Sequence, residues 1–126
     1  MEEADAYRAM QLTQLFQRKA DRVNVDYTND SFQSSFIHAI NETLEEMRNF
    51  CHVTPNLVVA HDGNTGLDQK YLPVISAGVD YFLHLASEWN IDRPADLDAR
   101  WQRELRRAST IYYADNPPQG PIGATS

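Results

Sequence analysis

Residues 31–51 read SFQSSFIHAINETLEEMRNFC, and this stretch decides the fold. Phe32, Phe36, Ile40, Leu44 and Met47 recur at spacings of 4, 4, 4 and 3, and Ile37 and Cys51 widen the stripe. Glu42, Glu45, Glu46 and Arg48 lie largely off it. That is the period of an α-helix with one apolar face. Asn29, Asp30 and Ser31 offer side-chain oxygens that can satisfy the unpaired amides of a first helical turn. At 1.5 Å per residue the helix is about 30 Å long.

Upstream, residues 4–20 carry Tyr7, Met10, Leu12, Leu15 and Phe16 among polar neighbours, the pattern of a shorter amphipathic helix. Val23, Val25 and Tyr27 then alternate with Asn24 and Asp26, which predicts a short extended piece. Downstream, Leu57–Ala60 is a brief apolar run between Pro55 and the turn-forming His61-Asp62-Gly63-Asn64-Thr65-Gly66, read as a strand and a loop. Tyr71–Trp89 is a third helix with Pro73 in its first turn. Its seam is Ile75, Val79, Phe82, Ala86 and Trp89, and Gly78 beside that seam permits close approach of a neighbour at a cost of about 1 kcal/mol relative to alanine. A last helix opens at Asp92-Arg93-Pro94 and follows Leu97, Trp101, Leu105, Ala108 and Tyr112. From Asp115 the chain runs DNPPQGPIGATS, with five Pro or Gly in twelve residues and no periodicity. The expected fold is therefore mainly α: a bundle of about four helices in one domain over residues 1–114, a short strand or hairpin excursion, and an extended C-terminal arm over 115–126.

The whole chain has 126 residues, 42% of them hydrophobic and 23% charged, which suits one globular core. Cys51 is the only cysteine, so neither an internal disulfide nor a cysteine-based zinc knuckle can form, and a reducing compartment is expected. MEEADAYR is acidic where a secretory signal is basic. The most apolar stretch, residues 71–86, contains Asp80 and His84 and is too short to span a bilayer. Synthesis in the cytoplasm, away from membranes, is the expectation.

Catalytic and metal chemistry find little footing. None of His38, His52, His61 and His84 stands three or four residues from another, so no two share a helix face as metal ligands. Glu42, Glu45 and Glu46 lack the Glu-x-x-His partners of a di-iron bundle and read as a solvated face. Cys51 and His52 point about 100° apart on a helix, which makes a buried free thiol the better reading than a nucleophile and base. The Asp62–Gly66 loop has neither the Lys-Ser/Thr of a phosphate loop nor the distal Glu of a calcium loop. The expected protein is not an enzyme and carries no cofactor.

Charge is segregated along the chain. The formal charge of −7 divides into −8 for residues 1–92, +2 for 93–114 and −1 for the tail. All five basic residues of the last helix region are arginines, which pair with carboxylates through two parallel hydrogen bonds. Tyr112 and Tyr113 follow them, and tyrosine and arginine are enriched at binding hot spots. An interface on this helix is one reading; an ordinary solvated face is the other.

The pieces SFQSSFIHAINETLEEM, YLPVISAGVDYFLHLASEW and ARWQRELRRASTIYYADN, together spanning residues 31–116, occur in an order that resembles the small helical head-to-tail connector, or adaptor, proteins of tailed bacteriophages. The resemblance is one of pattern and includes no catalytic signature. It implies a virion protein at the head–tail junction: a ring of identical subunits, usually twelve, docked on the portal protein, extending the DNA channel and presenting a surface to a downstream neck or tail protein. By position it places contacts to the portal or a neighbouring subunit on Arg100, Arg103, Arg106, Arg107, Tyr112, Tyr113, Asn116, Pro117 and Pro118. Twelve copies would sum to a formal charge of about −84, and an acidic wall repels phosphates, so double-stranded DNA would pass without sequence-specific binding. The alternative is a small acidic helical regulator, an anti-repressor or inhibitor that imitates DNA with its carboxylates. Its signature, acid spacing that tracks phosphates, is met by Glu42, Glu45 and Glu46 over one turn.

Overall fold

The computed structural model describes residues 12–85 and 94–117. They form four α-helices, α1 (Leu12–Arg22), α2 (Asp30–Cys51), α3 (Leu72–Leu85) and α4 (Pro94–Asp115), with one 3-10 turn, Gln69–Tyr71, leading into α3. No strand occurs among the described residues. The expected helical bundle is therefore present. The part of the first helix before Leu12, and Ala86 and Trp89 of the third, lie outside the described residues.

α2 keeps the pattern that announced it. Phe32, Phe36, Ile40, Leu44, Met47 and Cys51 are all fully buried. Asn29 is its N-cap, and its Oδ1 accepts the Phe32 amide at 2.8 Å. The helix ends at His52, which turns left-handed at φ 66° and donates its amide to the Arg48 carbonyl.

α3 is the centre of the bundle. It packs against both α2 and α4, and Val74, Ile75, Ala77, Gly78, Val79 and Leu83 are all buried. A helix covered on several sides is apolar nearly all round, which explains why residues 71–86 form the most hydrophobic stretch. At Gly78 the neighbouring helices come close. A Cβ there would stand 2.5 Å from both Cγ2 and Oγ1 of Thr43 on α2, and 2.9 Å from Cζ3 of Trp101 on α4. α4 buries Leu97, Trp101, Leu105 and Ala108, and Trp101 meets Phe82 edge-to-face with ring centroids 6.0 Å apart.

Two predicted extended pieces turn out otherwise. Residues 23–25 are the C-cap of α1. Asn24 adopts φ 61°, its amide reaches the Asp21 carbonyl at 3.1 Å, and the Val25 amide reaches the Ala20 carbonyl at 3.0 Å. This is a Schellman closure, and it places half-buried Val25 against the core beside buried Ala20. The alternation of valines reflected a cap followed by its hydrophobic contact. Residues 57–60 form no ladder either. Val58 is extended toward a side chain: its amide donates to Oδ1 of Asn41 at 2.8 Å, and its carbonyl accepts from Nδ2 of Asn41 at 2.9 Å. One carboxamide on α2 thus does for Val58 what a partner strand would do. The Asn56 amide bonded to the Thr65 carbonyl at 2.7 Å closes the loop behind it.

The loop is fastened to the core by buried Val58, Thr65 and Leu67, and by His61, whose ring stacks on Phe16 at 4.2 Å. Phe16 in turn packs against Phe32 and Phe36 at 5.5 and 5.2 Å. The excursion is therefore a lid over the α1–α2 contact.

Candidate functional site

α4 offers two faces. Its inner face carries the apolar side chains already named, together with Arg100. Asp80 on α3 is completely buried, and its Oδ2 accepts from Arg100 at 2.8 Å and from Arg22 at 3.5 Å. The other oxygen, Oδ1, lies 2.9 Å from Nζ of Lys19, which also donates to Oγ of Ser76 at 2.7 Å. A charge can be buried at tolerable cost only when paired and hydrogen-bonded, and Asp80 is paired with three cations, two of which hydrogen-bond its Oδ2. Burial, the larger effect, pulls the Lys19 ammonium below the usual lysine range, and the Asp80 carboxylate pulls the other way. The cluster ties α1, α3 and α4 together. Arg100 is accordingly a residue of the fold's interior, its side chain about one-third exposed.

The outer face carries Arg103, Arg106 and Arg107, all exposed. Arg107 reaches Oε1 of Glu104 at 3.2 Å one turn back. Among the described residues neither Arg103 nor Arg106 has an ionic partner, so their guanidinium groups remain available to carboxylates from outside. This face ends in a Tyr pair: Tyr112 is half-buried against the core, Tyr113 is exposed, and their rings meet edge-to-face at 5.2 Å.

Beyond the tyrosines a groove opens between the end of α4 and the segment leading into α3. One part is walled by His52, Thr54, Lys70, Tyr71, Tyr112 and Asn116. A second part continues past Asp68 and Lys70 to Pro73 and Arg107. Lys70 and Asp115 form an ion pair across it. Asn116 closes the helix by donating both its backbone amide and its Nδ2 to the Tyr112 carbonyl, at 2.9 and 3.0 Å. Tyr71 forms the floor. Burial first, then the neighbouring Cys51, Asp115, Tyr112 and Asp68, push its phenol up to about 12.

The structure thus brings together Arg103, Arg106, Arg107, Tyr112, Tyr113 and Asn116 along one helix, with exposed Pro117 following. Pro118 lies outside the described residues. Lys70, Asp68 and Thr54 complete the groove together with His52, which the sequence offered only as a metal ligand or a base beside Cys51; nothing local marks these residues as one surface, and only the tertiary return of residues 52–71 to the end of α4 does. Asp80 did carry a signal. A carboxylate in the middle of the most apolar stretch demands a buried counter-ion, and the lysine on the buried stripe of α1 supplies it.

Among the described residues no three His, Cys, Asp or Glu side chains gather to hold a metal ion. His38 lies 3.7 Å from Glu42 within α2, a single exposed pair. Cys51 is buried, its Sγ directed at the Met47 carbonyl at 3.1 Å, and burial pushes its thiol up, away from the reactive thiolate. No helix among the described residues is long and apolar enough to cross a membrane. No family model, curated protein or solved structure matches this chain.

Proposed function

We propose that this chain is a structural head-to-tail connector of a tailed bacteriophage, assembling as a ring, most simply of twelve copies, between the portal and the neck or tail. The single observation that carries the reading is the outer face of α4. It presents Arg103 and Arg106, without ionic partners among the described residues, and ends in the exposed Tyr113, on a chain whose sequence outside residues 93–114 carries a negative formal charge. Such a face suits a partner surface of carboxylates, which arginine grips in bidentate fashion. An acidic body around the channel suits the passage of DNA, since like charge keeps phosphates from adhering. The role is one of joining, with no catalytic step, and its place is the virion neck after synthesis in the host cytoplasm.

The DNA-mimic alternative draws less support. Glu45 is engaged with Arg48 at 2.6 Å, which leaves Glu42 and Glu46 as one turn of exposed acid on α2.

The test is a triple charge reversal, Arg103→Glu, Arg106→Glu and Arg107→Glu, followed by co-sedimentation with portal particles. Docking is expected to fall while the helical signal is unchanged. Co-sedimentation equal to that of the wild type would refute the reading. Electron micrographs of the wild-type protein bound to portal rings report the copy number directly.

A further inference from the structure

We propose that the groove beside the C-terminal third of α4 receives residues 117–126 of a second copy of this chain. The proposal rests on the ring of identical subunits put forward above and assigns the contact that closes it. The two parts of the groove share Asp68 and Lys70, so they form one track from Asn116 back to Arg107. Along α4 that is about 13 Å, the length of about four residues in a polyproline conformation.

The occupant matches the track in chemistry. Residues 117–126, PPQGPIGATS, carry no charged side chain. Of the groove's charged side chains, Lys70 pairs with Asp115, Arg107 pairs with Glu104, and Asp68 accepts the Lys70 backbone amide, so most of its charge is already engaged within the chain. Its walls include the half-buried Tyr112, with buried Tyr71 beneath, and tyrosine faces are what proline-rich segments dock on. Ile122 supplies the single large apolar anchor of the segment.

The geometry favours exchange over self-occupancy. Asn116 is both a wall of the groove and the last residue before the proline pair. Pro117 and Pro118 bias the backbone of Asn116 and Pro117 away from helical values, which directs the chain off its own helix end and disfavours an immediate reversal into its own groove. Residues 118–126 span about 30 Å when extended, a length that can bridge from one copy to the groove of an adjacent copy. One surface gives and a different one receives, a heterologous contact, the type that builds a ring when its rotation closes.

Photo-crosslinking of the full chain tests this. A photoreactive benzophenone side chain replaces Ile122, and isotopically light and heavy preparations are mixed at high protein concentration before irradiation. The expected adducts join one light and one heavy chain and map to residues 52–54, 66–73 or 107–116. Adducts confined to single chains, adducts on other surfaces, or no adducts overturn the proposal. Thr54→Trp, a substitution at an exposed position, obstructs the groove and is expected to lower the mixed adducts roughly tenfold, the scale of about 1.4 kcal/mol, with the thermal midpoint unchanged. Adducts undiminished by that variant also overturn it. Portal co-sedimentation is scored on the same preparations. Loss of docking with mixed adducts intact removes the connector reading alone, and docking without mixed adducts removes this proposal alone.

Discussion

The Asp80 carboxylate lies 2.8 Å from the Arg100 guanidinium and 2.9 Å from the Lys19 ammonium, with Asp80 itself wholly buried. Asp80→Asn removes the one acidic group placed against Lys19 among the described residues and leaves a buried ammonium facing two arginines. Breaking one partner of a buried pair costs about 3–5 kcal/mol. Urea unfolding followed by circular dichroism is expected to show a loss of this size. The double variant Asp80→Leu with Lys19→Met removes both charges and is expected to recover much of it. A midpoint unchanged in Asp80→Asn would show that the cluster contributes nothing to stability.

Gly78→Ala sets two effects against each other. Alanine favours the helix by about 1 kcal/mol. Its Cβ, however, would stand 2.5 Å from Thr43 and 2.9 Å from Trp101, well inside van der Waals contact. Overpacking a filled core costs about 1–3 kcal/mol, so the variant is expected to be less stable despite its better propensity. Thr43→Ala in the same chain opens the contact and is expected to return part of the loss, as thermal melts of the single and double variants will show.

Asn41→Ala unmakes both hydrogen bonds to Val58 while Val58 stays buried. Unpaired buried polar groups cost about 1–3 kcal/mol each, and the freed strand of loop can rehydrate to recover some of it. The expected result is a local one. Hydrogen exchange at the Val58 amide accelerates strongly, and the amides of α3 change little.

Tyr71 makes the stability depend on alkaline pH. Its phenol titrates at about 12 in the folded chain against an ordinary value of 10.0. The unfolded chain therefore loses this proton first, and folding is penalised as pH rises from about 10 to 12, with no contribution from this group below that window. Lys19 acts with the opposite sign, because its lowered value means stability is gained as pH rises toward the usual lysine range. Lys19 is common to both proteins when wild type is compared with Tyr71→Phe, so its share cancels. The difference in unfolding free energy between the two is expected to be flat up to pH 10 and to shift in favour of the variant above it. A flat difference throughout would show that Tyr71 ionises normally.

Much of this architecture was legible from periodicity. The stripe of α2, the proline-led starts of α3 and α4, and the close approach at Gly78 all follow from local chemistry that the packing then used. The two mistaken strands have a shared cause. Val23, Val25 and Tyr27 place apolar residues in alternation and Leu57–Ala60 is a short apolar run, but a strand requires a partner backbone, and here the partners are a helix C-terminus and the Asn41 carboxamide. Short alternations carry no information about what will satisfy the amide groups. The arginines of the last helix were visible as a group, while their division was not: Arg100 turns inward because Asp80 lies beneath it, and Arg103 and Arg106 turn outward. The groove was invisible for the same reason, since its walls come from segments about fifty residues apart and meet only in the folded chain.

Cys51, the sole cysteine, has one further consequence. Its side chain is shut inside the bundle and its thiol is held protonated by burial. Maleimide and iodoacetamide reagents will pass over it while the fold is intact. A fluorophore or spin label can therefore be installed through one new cysteine anywhere on the surface, with the native residue left in place. The unaltered chain carries its own integrity gauge, because Cys51 becomes reactive only when the core opens.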